Sequence, residues 1–417
     1  MSGYEDYARR LTGTGILTDP WIDGAPRFRQ APVLFSPAQR DALYAAAEAV
    51  AEAHHQLAMR CAAEPALLDR LALSPFQRLM WISAAPRWHG IARADVFLTA
   101  QGPQVCELNS DTPSGQAEAV LGGALAHADH PGHVDLNEDL GPRFCQLVAQ
   151  LTERDTGHAP RRVGILYPTE MTEDLSLVLL YQRWFVDQGW EVRTGSPYNL
   201  QALPGGRAGL FGEPCDVFVR HYKTDWWGER LPVWTSDPGY PDEAPLARAL
   251  DVLLSASLRG QAAVVNPFGA VLTQNKRALA LLWEERDRLP AHTRTNLARY
   301  LPYTVRLEAA PLEELRREKD RWVLKSDYGC EGDEVVIGRD ISPSDWEAAL
   351  RLAIPTRWVA QRYFEAQGER PGESTNYGVY LIAGQASGLF VRQQAGRTDT
   401  HAQCAPALLL PRDHEPR

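Results

Sequence analysis

The chain has 417 residues, 44% of them hydrophobic and 23% charged, with twelve tryptophans. This is the make-up of a folded chain with ample apolar area to bury, and it is too long for one simple core, so two or three interlocked lobes are expected. A formal net charge of -10 argues against general attraction to nucleic acid, which relies on clustered Lys and Arg, but it leaves room for a nucleotide whose phosphates meet a few placed cations. The six cysteines (Cys61, Cys106, Cys145, Cys215, Cys330 and Cys404) form no C-x-x-C pair, so neither a zinc site nor a disulfide framework is expected. The start, MSGYEDYARRL, is polar, and no run approaches the roughly 18 apolar residues of a membrane span. The expectation is a cytoplasmic protein with reduced thiols and no membrane attachment.

In chain order, Ser36-Pro37 opens an Ala-rich run through Cys61, which reads as a helix with a Ser N-cap and Pro at its first position. Its adjacent His54 and His55 point to different parts of the helix surface, so they do not make a helical metal pair. From Ile91, ADVFLTA and PQVCELN flank Gln101-Gly102-Pro103, the pattern of a hairpin. VGILYP, the helical stretch from Met171 to Gly189 and WEVRT then predict a parallel strand, helix, strand unit. CDVFVRHY, a loop rich in Pro, Gly and Trp, the helix PLARALDVLLSAS and a helix around LTQNKRALALLWEE follow. The remainder alternates short strands (RWVLKSD, EVVIGRD, RWVAQRYF, NYGVYLIAG, SGLFVRQQ) with one helix at SDWEAALRLA, and ends in a polar tail, PRDHEPR.

The most informative stretch is Arg93-Ala-Asp95 followed by Glu107-Leu-Asn109-Ser-Asp111-Thr112-Pro-Ser114. Strand alternation puts Arg93 and Asp95 on one face, and Glu107 and Asn109 on one face, and a hairpin brings the two faces together. Two carboxylates and an amide supply the hard oxygens that Mg²⁺ prefers, with an arginine beside them to offset charge on a transferring phosphoryl group. A solvated polar face of an edge hairpin is the other explanation that spacing alone leaves open.

R-x-D followed by E-x-N-x-D-[ST]-x-S resembles the metal- and substrate-binding signature of the glutathionylspermidine synthetase family. In the same order, TEDLSLVLLY, VRHYKTDWWGE, QNKRALALLWE and WVLKSDYGCEGDEV resemble further family segments, so that the likeness runs from about Phe76 onward. It implies an ATP-grasp fold of the α/β class, built of α+β lobes. It further implies Asp95, Glu107 and Asn109 as Mg²⁺ ligands, Arg93 as the transition-state cation, and Lys276 and Lys325 on ATP phosphates. Gly329, Glu331 and Gly332 fall in a loop over the nucleotide, Val359, Ala360 and Gln361 at a linker whose backbone meets adenine, and Arg392 at the phosphates. Asp111, Thr112, Ser114, Glu173 and Asp174 fall at the substrates, the acidic pair suiting an amine cation. The chain departs from the family pattern at Ser326 and Cys330, where Pro and Arg are usual, and at Lys223-Thr224-Asp225.

The resemblance implies an ATP- and Mg²⁺-dependent carboxylate-amine ligase acting on a peptide-like carboxylate and an amine, without the amidase domain of bifunctional relatives. An ATP-grasp kinase and an inactive nucleotide-binding scaffold are the competing readings. The expected organisation is an N-terminal region with the hairpin over 1–160, an α/β substrate lobe over 161–265, and a nucleotide lobe over 266–417 interlocked with 76–120. A homodimer is expected only from the frequency of twofold assemblies.

Overall fold

The computed structural model describes residues 3–169, 174–229, 246–329, 334–354, 357–368, 370–396 and 398–411. Glu173, Glu331, Gly332 and the end of the polar tail lie outside the described residues. Among those described, no helix is long and apolar enough to cross a membrane.

The helix Pro37–Ala63 begins as its sequence dictates. Ser36 Oγ accepts from Gln39 N at 3.2 Å while Gln39 Oε1 accepts from Ser36 N at 2.9 Å, so two otherwise orphaned backbone donors are satisfied. Its inward face, including Leu43, Ala46, Ala47, Val50, Ala53 and Leu57, is buried, and the small alanines let it lie close against a five-stranded antiparallel sheet. His54 belongs to that face. Its Nδ1 faces Val50 O at 2.8 Å, and burial pushes its pKa down to about 4, so it is a neutral core residue.

The five-stranded sheet runs in the order Gln403–Ala405, Gln385–Ala395, Glu373–Ile382, Ile91–Thr99, Gly102–Asn109. The hairpin expected at Ile91–Asn109 is therefore joined to the C-terminal strands, with Tyr380 opposite Arg93 and Gly378 opposite Asp95. A second, parallel sheet runs Ala263–Val265, Val217–Arg220, Arg162–Leu166, Glu191–Gly195. Apart from the terminal Arg162 and Arg220, its central strands are apolar and buried, as a sheet covered on both faces requires. A third sheet, Thr304–Arg306, Trp358–Arg362, Trp322–Ser326, Val335–Ile337, is antiparallel. It is closed by the helix Pro343–Ala353, whose Trp346 and Leu350 pack with Trp322, Leu324 and Ala360.

Two expectations are corrected here. LTQNKRALALLWEE is two helices, Ala270–Gln274 and Arg277–Glu284, broken at Asn275. Asn275 is extended, its Oδ1 accepts from Arg277 N at 2.8 Å and its Nδ2 donates to Leu71 O at 3.2 Å, an arrangement that competes with a continuing helix. Val359, Ala360 and Gln361 are not a linker: they pair with Thr304–Arg306 on one side and Val323–Lys325 on the other, so both neighbours use their backbone groups.

Asn266 ties the sheets to each other. Its side chain accepts from Ile91 N at 2.8 Å and donates to Ile91 O at 2.7 Å, Ser110 O at 3.0 Å and Asp111 O at 2.7 Å. Asn266→Ala strands these buried groups and should cost about 3–5 kcal/mol, read as a lower urea midpoint at unchanged slope; a change under about 1 kcal/mol would contradict this role.

Candidate active site

Hairpin register builds the first half of the site. Arg93 lies opposite Asn109 and Asp95 opposite Glu107, so the alternating faces bring all four side chains together. Arg93 Nε and Nη2 donate to Asp95 Oδ1 and Oδ2 at 2.7 and 3.2 Å, and Nη1 donates to Ser114 O at 2.9 Å. Two C-terminal strands add Arg392 Nη2 and Asn376 Nδ2, each 3.3 Å from Asp95 Oδ2. Burial opposes charge on Asp95, but Arg93 and then Arg392 outweigh it and hold the carboxyl below its ordinary range. Gly378 is required by geometry, because a Cβ there would lie 2.7 Å from Arg93 Cδ.

The second half comes from the third sheet and the helix break. Between Asp95 and Val96 the ladder shifts register, leaving Cys106 as the extra residue of a bulge, which frees a backbone group from the ladder. Its carbonyl accepts from Lys325 Nζ at 3.3 Å and Gln361 Nε2 at 3.4 Å. Gln361 also donates to Thr304 Oγ1 at 3.1 Å. The break at Asn275 places Lys276 at the start of the next helix, where Nζ lies 3.5 Å from Glu107 Oε2 and donates to Gly329 O. Burial would raise Glu107, yet Lys276 and Lys325 hold it below its ordinary value despite nearby Asp95. Both lysines are buried, which sets them apart from solvated surface charges.

Asp95, Glu107 and Asn109 thus stand together with Arg93, Lys276, Lys325, Gly329, Gln361 and Arg392 around one point. Asn109 Oδ1 accepts from Gln274 Nε2 at 3.4 Å, and Asn109 Nδ2 donates to Glu107 Oε1 at 3.4 Å. Two carboxylates with amide oxygens, edged by cations, fit a hard divalent ion that keeps several waters.

The remaining residues singled out in the sequence lie elsewhere or serve differently. Asp111 is buried, with Oδ1 against Arg220 Nη2 and Oδ2 accepting from Thr224 N at 2.6 Å, so its carboxylate holds the turn after the hairpin. Thr112 and Ser114 are partly exposed, and the Ser114 carbonyl receives both Arg93 and Tyr380 Oη. Asp174 sits 3.1 Å from His221 Nε2 on the parallel sheet; burial opposes its charge, and His221 brings its pKa below the usual value.

A cleft of about 550 Å³ opens beside Gly329. Lys223, Asp225, Trp226, Asp327, Tyr328 and Arg357 are among its lining residues. Arg357 binds Glu229 through Nη1 and Nη2 at 2.9 and 2.6 Å and Asp327 Oδ2 through Nε at 3.0 Å. Burial pushes Asp225 up to about 7 and Asp327 up to about 6, beyond what Lys223 and Arg357 respectively offset. Sequence reasoning missed Asn376 and this cleft. The signals for the cleft were the departures from the family pattern at Lys223–Asp225 and at Ser326.

Carboxyls raised in the folded state favour folding while protonated, so their contribution is complete below about pH 4 and lost as pH rises through about 6 and 7 for Asp327 and Asp225. Asp225→Asn should therefore flatten the fall in stability between about pH 4 and 7, measured as urea midpoints across pH. Parallel profiles for the two proteins would sink this assignment.

No curated protein matches the chain in sequence. Residues 223–410 match the family model described as glutathionylspermidine synthase preATP-grasp. Among solved structures, a glutathione synthetase-like effector from Globodera pallida in its apo form superposes with a TM-score of 0.58, at 10% identity, over 97% of this chain and 96% of that one. A candidate gamma-glutamylcysteine synthetase from Methylobacillus flagellatus gives 0.47, at 14% identity, over 93% and 91%. The first likeness identifies the fold, a mixed α/β architecture of the glutathione synthetase, ATP-grasp type.

Proposed function

We propose that this chain is an ATP-grasp ligase that joins a carboxylate to an amine through an acyl phosphate, a reading supported by the match of residues 223–410 to the glutathionylspermidine synthase preATP-grasp model and by the glutathione synthetase-type fold of the chain. The observation that carries the reading is the meeting of two sheets at the Cys106 bulge. There Arg93, Asp95, Glu107 and Asn109 on one side face Lys276 and Lys325 on the other.

A carboxylate oxygen of the acid attacks the γ-phosphorus of ATP, the bond to the bridging oxygen breaks, and ADP leaves. The amine nitrogen then attacks the acyl carbon, phosphate departs, and the amine gives up a proton as the amide forms. Asp95, Glu107 and Asn109 would hold Mg²⁺, which when bound offsets charge on the phosphates. Lys276 and Lys325 fix the phosphate chain, and Arg93 meets the charge that develops on the transferring phosphoryl group. Arg93 is held for this task by Asp95, the Ser114 carbonyl and the Phe390 ring 5.6 Å away. The cleft beside Gly329 suits the amine, since its lining brings together the carboxyls of Asp225, Glu229 and Asp327.

The test offers purified protein, Mg²⁺ and ATP pools of small peptides and amines and reads products by mass spectrometry. Amine-dependent ADP together with a condensed mass is expected; a stable phosphorylated product would make the protein a kinase, and binding without turnover a scaffold. Arg93→Ala should lower turnover by about 10²-fold or more while nucleotide affinity changes only a few-fold, and unchanged turnover would remove its role. Asp225→Asn should raise the KM for the amine with kcat little altered; an unchanged KM would remove the cleft from the account.

A further inference from the structure

Asn376 sits in the middle of the central strand Glu373–Ile382, is 3% exposed, and lies directly across from Arg392. Its Nδ2 donates to Asp95 Oδ2 at 3.3 Å. Its Oδ1 is buried and has no hydrogen-bond partner among the described residues, and the same is true of Arg392 Nε. Buried polar groups in folded proteins are paired in the great majority of cases. Here an acceptor and a donor, both bordering the same carboxylate, are left open together.

That combination is the complement of a cation bound to an anion: an amide oxygen for the cation and a guanidinium N–H for the anion. We infer that Asn376 is a fourth oxygen ligand of the divalent cation held by Asp95, Glu107 and Asn109. The inference rests on the ligase reading above only in taking those three residues as the cation's holders. The strand is shaped for this. Along one face it presents Asn376, Gly378 and Tyr380, which alternate with inward neighbours. Gly378 leaves the gap that Arg93 crosses, and Tyr380 Oη donates to the Ser114 carbonyl at 2.9 Å. A neutral amide adds a hard oxygen without placing a third negative charge beside Asp95 and Glu107.

The experiment titrates Mn²⁺, a spectroscopic probe for hard-cation sites, into the 417-residue chain and counts free ion by electron paramagnetic resonance, with and without a non-hydrolysable ATP analogue. Thermal midpoints and metal-free nucleotide affinity are measured alongside. Asn376→Ala should weaken Mn²⁺ about 10-fold or more, whereas Asn376→Asp retains or tightens it, and neither moves metal-free nucleotide affinity. Wild-type Mn²⁺ affinity in Asn376→Ala, or equal weakening in both variants, would overturn the inference. Equal weakening would mean that only the Nδ2 donor to Asp95 matters. If the wild-type protein binds no Mn²⁺ even with the nucleotide analogue, the metal assignment in the ligase reading falls too, so the two failures are told apart.

Discussion

Asp95 is a carboxylate 2% exposed in the middle of a sheet, and a charge so placed persists only if it is paired and hydrogen-bonded. Its partners come from three strands: Arg93 from its own, Asn376 and Arg392 from strands some 280 to 300 residues later in the chain. Pairing sets much of what surrounds it. The position opposite Asp95 must be glycine, since Gly378 is where Arg93 crosses. Each partner removed leaves the buried carboxylate with less compensation, so the hairpin and the C-terminal strands are bound to one arrangement.

A bulge and a break turn that arrangement outward. The bulge at Cys106 releases a carbonyl that Lys325 and Gln361 take up from another sheet. The break at Asn275 turns Lys276 toward Glu107 and Gly329. Neither feature is regular secondary structure, and each costs some ladder or helix bonding. Both end with a cation facing carboxylates, the arrangement needed to receive a triphosphate and the ion that accompanies it.

The hairpin was legible because its signals are local: a Gln-Gly-Pro turn, period-two alternation and paired polar residues within 19 positions, Ile91 to Asn109. The capped helix was legible for the same reason, down to Ser36 and Gln39. Asn376 was not, because its meaning depends on which strand lies beside Asp95, and pairing across such a span leaves no mark on periodicity. The break at Asn275 was hidden by apolar residues that keep a helical rhythm on both sides. Asp111 and Val359–Gln361 took their expected roles from the family resemblance alone, and what occupies them here, Arg220 of the parallel sheet for Asp111 and the strands Thr304–Arg306 and Trp322–Ser326 on either side of Val359–Gln361, lies far off in sequence.

The central claim is that nucleotide phosphates lodge where the two sheets meet at Cys106. Hydrogen–deuterium exchange with and without Mg²⁺ and a non-hydrolysable ATP analogue tests it most directly. The account predicts that ligand slows exchange together in Gln104–Asp111 and in Trp322–Gly329, segments far apart in sequence that touch where Lys325 meets the Cys106 carbonyl. Protection confined to other parts of the molecule, or none at saturating nucleotide, would contradict it.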